Sequence, residues 1–192
     1  MTDPLLLDLP PSIETERLIL RPPRAGDGPA FYAALTESLG DLRQFLGALP
    51  WIANEPSAES AELYCRNAQA NFVARKDLSL FVFDKADGAF VGGVGLHRTV
   101  WATPKTEVGY WCRSSRLGRG YVSEAVASLT AFAFKQLGMS RVELITDEAN
   151  HASRRVAERC GFTLEGTLRH ESRAPNGTLR NTCVYARFPS TG

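Results

Sequence analysis

Residues Thr106 to Lys135, TEVGYWCRSSRLGRGYVSEAVASLTAFAFK, constrain this chain more than any other stretch. An extended apolar run ends in a loop of Arg, Ser and Gly. The loop feeds an alanine-rich segment in which Val122, Ala125, Val126, Leu129, Phe132 and Ala133 recur at helical spacing. A strand, a loop and a helix in that order leave the first N–H groups of the helix without partners inside it. Gly118 and Gly120 remove side chains where a ligand would approach the backbone. The alanines let the helix lie close on a sheet, and the occupant expected at its start is an anion.

Taken alone, Gly118-Arg119-Gly120 is a weak motif, equally at home in a plain tight turn. The surroundings narrow it. No Gly-Lys-Ser/Thr follows, and the loop comes after an antiparallel meander instead of opening a βαβ unit. Triphosphate hydrolysis and a dinucleotide fold therefore fit poorly. Arg113, Arg116 and Arg119 flank the loop and add charge-assisted contacts to phosphate, so a pyrophosphate-bearing ligand is favoured.

The periodicity elsewhere supports a mixed α/β sheet. Residues 1–13 read as a loose arm and residues 14–188 as a single domain. A first strand is expected at about Thr15 to Arg21, then a helix after Asp27 and a second short one over Leu39 to Leu46. Pro50-Trp51 reads as a loop, and Pro56-Ser57 opens a longer helix with Tyr64, Ala68 and Phe72 on one face. Strands at Leu78 to Phe83, Phe90 to Leu96 and Thr106 to Cys112 form a meander turned at Asp87-Gly88 and Thr103-Pro104. Beyond the central helix come a strand at Val142 to Ile145, a helix from Asn150 to Gly161, and strands at Phe162 to Leu168 and Leu179 to Phe188.

Composition excludes several classes. With 192 residues and a formal net charge of +1, the chain has no global field to draw nucleic acid or a membrane surface. Stable docking on RNA is not expected. Cys65, Cys112, Cys160 and Cys183 form no Cys-x-x-Cys pair, and the three histidines are dispersed, so no metal site is expected. Reduced cysteines suit a cytoplasmic location. The Leu5-Leu6-Leu7 run has no basic lead and is cut by Asp8 and two prolines, unlike a signal peptide.

A second motif lies downstream, from Asn150 through Ser153 to Gly161-Phe162. It joins Thr15-Glu16-Arg17-Leu18, Leu20-Arg21, Glu107-Val108-Gly109-Tyr110-Trp111, Gly118-Arg119-Gly120-Tyr121 with Glu124-Ala125, and Glu165-Gly166. On these residues the chain resembles a GNAT-superfamily N-acetyltransferase of the RimJ/RimL-type branch, over about residues 14 to 187. The resemblance implies the GNAT fold, a mostly antiparallel sheet flanked by helices, with two strands splayed around acetyl-CoA. It also implies acetyl transfer to an amine. The common Gln/Arg-x-x-Gly-x-Gly/Ala signature starts here on Ser115, a change that leaves the phosphate-binding backbone amides untouched.

The resemblance further implies that Trp111 and Cys112 offer strand-edge N–H groups to the thioester oxygen, and that Arg113, Arg116, Gly118, Arg119, Gly120 and Tyr121 surround the phosphates. Asn150 would orient the pantetheine arm or a water, and Ser153 would stand by the departing sulfur. A thiol, with an unperturbed pKa of about 8.5, leaves readily and needs little acid help. Glu107 and Glu171 compete as general base, with a water chain as the alternative. Trp51, His97 and Tyr110 would line the acceptor groove, where Asn181 replaces a frequent acidic residue. The acceptor is a protein N-terminus or a small amine such as an amino acid, polyamine or aminoglycoside. A catalytically silent acyl-CoA-binding module is the reading from another class. Dimers are common among similar proteins, which places a homodimer within expectation.

Overall fold

Leu18 and Leu20 are fully buried and alternate with the half-buried Ile19 and Arg21, as a strand with one face on a core requires. The computed structural model describes residues 3–174 and 176–190, so the first two residues of the expected arm lie outside it. Its strands are β1 (Ile13–Glu14), β2 (Leu18–Arg21), β3 (Leu78–Asp84), β4 (Phe90–Val100), β5 (Lys105–Cys112), β6 (Arg141–Asp147), β7 (Thr163–Arg173) and β8 (Leu179–Arg187). The helices are α1 (Gly28–Leu46), α2 (Pro50–Ala53), α3 (Ala58–Val73), α4 (Tyr121–Lys135) and α5 (His151–Arg159). The sheet runs β1-β2-β3-β4-β5-β6-β8-β7, and the pairing of β5 with β6 is parallel where every other is antiparallel.

Four expectations need correction. The first strand is broken at Thr15, whose N–H donates to Leu18 O at 3.0 Å and closes a tight reversal. The two early helices are one, α1. Gly40 costs an exposed helix position roughly 1 kcal/mol relative to alanine, but Phe31, Ala34, Leu35, Ser38 and Leu42 form an unbroken buried stripe through it. Pro50-Trp51 opens a short helix, because proline at a first helical turn is pre-set for it. β4 and β7 also run further than their apolar patterns reach.

Helices cover the sheet on both faces. Against α4 and α5, Leu20, Leu80, Val94, Val108, Leu129 and Leu144 make one core. Against α1, α2 and α3, Phe31, Ile52, Phe81, Phe90 and Trp111 make the other. The Ser57 and Ser60 side chains and backbones cap the start of α3 reciprocally.

Sheet register also creates an opening. β5 and β6 pair only from Lys105↔Arg141 to Glu107↔Glu143. Beyond that point β5 stays with β4 as far as Gly92↔Cys112, while β6 stays with β8 as far as Asp147↔Thr182. Each strand follows a different neighbour, and the two diverge between α4 and α1.

Candidate active site

Strand geometry fixes which backbone donors face this opening. The Arg113 N–H donates to Val91 O at 2.8 Å, toward β4. Successive N–H groups along a strand point to opposite sides, so Trp111 and Gly109 also face β4, Val108 faces β6 where Glu107 pairs with Glu143, and Cys112 and Tyr110 face the opening. Of the two N–H groups expected there, that of Cys112 faces the opening and that of Trp111 faces β4; the Tyr110 N–H faces the opening as well. The Trp111 indole lies against Gly93, where a Cβ would come within 2.7 Å of its Nε1. Burial pushes the Cys112 thiol up to about 11, which keeps it neutral.

Across the opening, the Tyr110 phenol meets the Ser153 hydroxyl at 2.7 Å and donates to Ser153 O at 3.2 Å. The expectation that Tyr110 lines the acceptor groove fails, because even-numbered β5 side chains turn toward α4 and α5, and Tyr110 packs on that core. Burial raises its pKa above the usual tyrosine value, so it stays protonated. Asn150 is the N-cap of α5, its Oδ1 accepting from the Ser153 N–H at 3.1 Å. The cap fixes the first turn that presents Ser153.

Gly118 and Gly120 hold φ of 75° and 78°, a region that favours glycine. The first bond inside α4 is Glu124 N–H to Gly120 O, so the N–H groups of Tyr121, Val122 and Ser123 have no helical acceptor. No side chain caps them. A Cβ at Gly118 would meet nothing within 4 Å, and one at Gly120 only Arg17 Nη2 at 3.5 Å. Open space thus faces bare donors, and a pyrophosphate fits them.

The arginines divide. Arg113 is held by Glu37 at 2.6 Å, and Arg116 by Asp84 and Asp87. Arg119 is exposed and donates to Ser115 O at 3.4 Å. Arg17 takes an unexpected place beside the loop: its Nη1 donates to Arg119 O at 3.0 Å, its Nε to Glu124, and its guanidinium lies 4.8 Å from the Tyr121 ring centre. Glu124 also accepts from Thr15, which ties the first hairpin to α4. The Thr15-to-Leu18 motif signals Arg17, but nothing local signals its partner. Tyr121 contributes its N–H to the cradle, while its phenol is spent on Asp84.

A polar row crosses the opposite face of the sheet. His97 pairs in register with Glu107, and Glu107 with Glu143. At its near end, the His97 Nδ1 and Asp77 Oδ2 are 2.7 Å apart. Arg98, with φ of 50°, donates to both Glu107 oxygens at 2.8 and 2.6 Å. Glu171 sits in a bulge of the edge strand between Leu168 and Ser172, exposed and two strands beyond β6. The fold does not bring the two candidate bases together. Trp51, on α2, packs 6.0 Å from Trp111 and 6.1 Å from Tyr64 between ring centres and stays partly exposed. Among the described residues no His, Cys, Asp or Glu group could hold a metal ion, and no helix is long and apolar enough to cross a membrane.

Comparison with known proteins gives the same assignment. The family model described as an acetyltransferase (GNAT) domain matches residues 17–163. The uncharacterized N-acetyltransferase YoaA of Bacillus subtilis (strain 168) is 27% identical over 176 residues, covering 92% of this chain and 96% of the relative. The ribosomal-protein-serine acetyltransferase of Escherichia coli (strain K12) is 29% identical over 109 residues, 57% of this chain and 60% of that one. Among solved structures, RimL, a ribosomal L7/L12 alpha-N-protein acetyltransferase in complex with coenzyme A, superposes with a TM-score of 0.84 at 21% identity, over 92% of this chain and 97% of its own.

Proposed function

This chain belongs to the GNAT acetyltransferase family, and from that premise we propose that it transfers acetyl from acetyl-CoA to the α-amine of a protein N-terminus. The observation that carries the proposal is the opening between β5 and β6, bridged by Tyr110 and Ser153 and leading from the bare start of α4. Residues 14–188 act as the catalytic domain in this reading. Acetyl-CoA brings a reactive thioester carbonyl and a thiol leaving group.

The chain's own groups divide the work. The α4 N–H groups, with Arg17 and Arg119 beside them, bind the pyrophosphate. The Tyr110 and Cys112 N–H groups aim at the position where the carbonyl oxygen gains charge. Ser153, tied to the Tyr110 phenol, holds a proton for the sulfur. Glu107 lies on the acceptor side with its charge paired to Arg98. An α-amine, with an unperturbed pKa of about 7.7 to 8.0, reaches its neutral form far more easily than a lysine near 10.4. The names of the Escherichia coli relative and of RimL, which refer to a ribosomal-protein serine and an alpha-N acceptor, support the same choice.

CoA release in the presence of N-terminal peptides, amino acids, polyamines and aminoglycosides tests this reading. Peptides should turn over best. Turnover confined to small amines would reassign the acceptor, and acetyl-CoA binding without CoA release would make the chain a binding module.

A further inference from the structure

On the acceptor face, Gly95 and Gly109 lie side by side in register on β4 and β5. Neither has a positive φ, so backbone conformation does not call for glycine at either position. What excludes a side chain is the His97 imidazole. A Cβ at Gly95 would stand 2.8 Å from its Nε2, and a Cβ at Gly109 would stand 3.0 Å from the same atom. The ring lies on a floor cleared for it. Gly109 also falls just past Glu107, the last β5 residue paired with β6, so the floor borders the opening.

The other ring nitrogen is fixed. Nδ1 meets Asp77 Oδ2 at 2.7 Å, and the Ser79 hydroxyl donates to Asp77 Oδ1 at 2.7 Å, which locks the carboxylate. Burial works to raise the Asp77 pKa, yet the bonds from His97 and Ser79 hold it below the usual carboxylate range. An ionised carboxylate accepts only, so Nδ1 carries a proton, and in the neutral ring the Nε2 lone pair points over the glycine floor. The His97 side chain is 34% exposed, so the ring is partly open to solvent. Glu107, by contrast, has both oxygens engaged by Arg98.

We propose that His97, oriented by Asp77, is the proton acceptor for the attacking amine; the inference rests on the acetyl-transfer reading above. The amine nitrogen forms a bond to the acetyl carbon, and the carbon–sulfur bond breaks with its electron pair leaving on sulfur. The proton shed by nitrogen goes to His97 Nε2 and from there to water. The sulfur takes its proton from the Ser153 hydroxyl, which is replenished through Tyr110. Asp77 is a positioning residue, since it acts only through the imidazole.

The test uses the full chain with acetyl-CoA and the amine panel. In His97→Ala, kcat should fall about 100-fold or more, the usual scale for losing a general base, with KM for acetyl-CoA unchanged. Imidazole added to the buffer should restore part of the turnover by entering the space left above Gly95 and Gly109, a response that a structural role does not produce. Gly109→Ala should produce a similar fall, because its Cβ occupies the place of the ring. Asp77→Asn should fall less. Thermal melting of each variant separates these losses from unfolding, and His97→Gln provides a second variant of similar size. Nitrogen-15 spectra of the wild-type ring should show the Nδ1–H tautomer. Undiminished CoA release by His97→Ala, or an Nε2–H tautomer, overturns the inference alone. Absence of CoA release by the wild type with every amine overturns both it and the acetyl-transfer reading.

Discussion

The Tyr110 phenol and the Ser153 hydroxyl are 2.7 Å apart across the opening between β5 and β6. One comes from the central strand and the other from the first turn of α5. When the phenol donates to the serine Oγ instead of to the Ser153 carbonyl, the serine proton is left to point at a ligand. Because a thiol is a good leaving group, the pair is asked for modest help. Ser153→Ala and Tyr110→Phe should each lower kcat by about 10- to 100-fold, at or below the low end of acid–base contributions. The double variant should be little worse than either single one, since two members of one unit are not additive. Steady-state CoA release measures this, and strictly multiplicative losses would show that the two hydroxyls act separately.

The cradle at α4 predicts a separation of stability from binding. Alanine at Gly120 must adopt a φ near 78°, at a cost of roughly 1–2 kcal/mol, and its methyl points into the open space above the bare N–H groups. Gly138, beyond the C-terminal end of the same helix, has a φ of 67°, and a Cβ there would meet nothing within 4 Å. Gly138→Ala should therefore lose similar stability and keep its affinity for acetyl-CoA. Gly120→Ala should lose both. Calorimetric titration with acetyl-CoA beside thermal melting checks the pair, and equal affinity in the two variants would remove the phosphates from α4.

A third prediction concerns acid. Hydrogen bonds from Ser115, with the Arg113 guanidinium beside them, hold the Glu37 carboxyl down to about 2. Glu37 thereby clasps α1 to the turn that precedes the cradle, and Asp41 and Ser38 add bonds to Ser114. A carboxyl with a depressed folded-state pKa contributes its stability above the unfolded value, near 4.3 for glutamate, and loses it as pH falls toward the folded value. Glu37→Gln should thus be less stable than wild type at pH 7. The difference should shrink between about pH 4.3 and 2. Urea unfolding at several pH values reads it out, and a gap that widened toward acid would contradict the clasp.

What can be read from the sequence follows from which interactions are local. The period of α4, the glycines at 118 and 120 and the capping residue Asn150 each lie within a few positions of what they organise, and all three are where the pattern places them. Arg113 and Arg116 read as phosphate ligands because their carboxylate partners, Glu37, Asp84 and Asp87, lie 76, 32 and 29 residues away. A similar separation hides Asp77 from His97, 20 residues on. Tyr110 and Trp111 escape a sequence reading for another reason. Which side of β5 each N–H and side chain faces depends on its register with β4, and a single-residue shift reverses every assignment. Gly95 and Gly109 carry no signal without the ring above them.

Arg98 sets two effects against each other, and their magnitudes decide the outcome. Its φ of 50° is strained for a residue with a side chain, by about 1–2 kcal/mol. Its guanidinium meanwhile makes two charge-assisted bonds to Glu107, whose side chain is 12% exposed against 73% for Arg98. Because the arginine end is open to solvent, the pair should contribute no more than about 1 kcal/mol. Arg98→Ala keeps most of the strain and loses the pair, so it should be destabilised by about that amount. Arg98→Gly loses the pair but also the strain, and should melt near the wild-type temperature or above it. In both variants the freed Glu107 carboxylate should lower KM for cationic acceptors at low ionic strength, and added salt should erase the gain. If Arg98→Gly instead melts below Arg98→Ala, the backbone is unstrained there and the ion pair alone holds the shift in β4–β5 register between His97 and Val100.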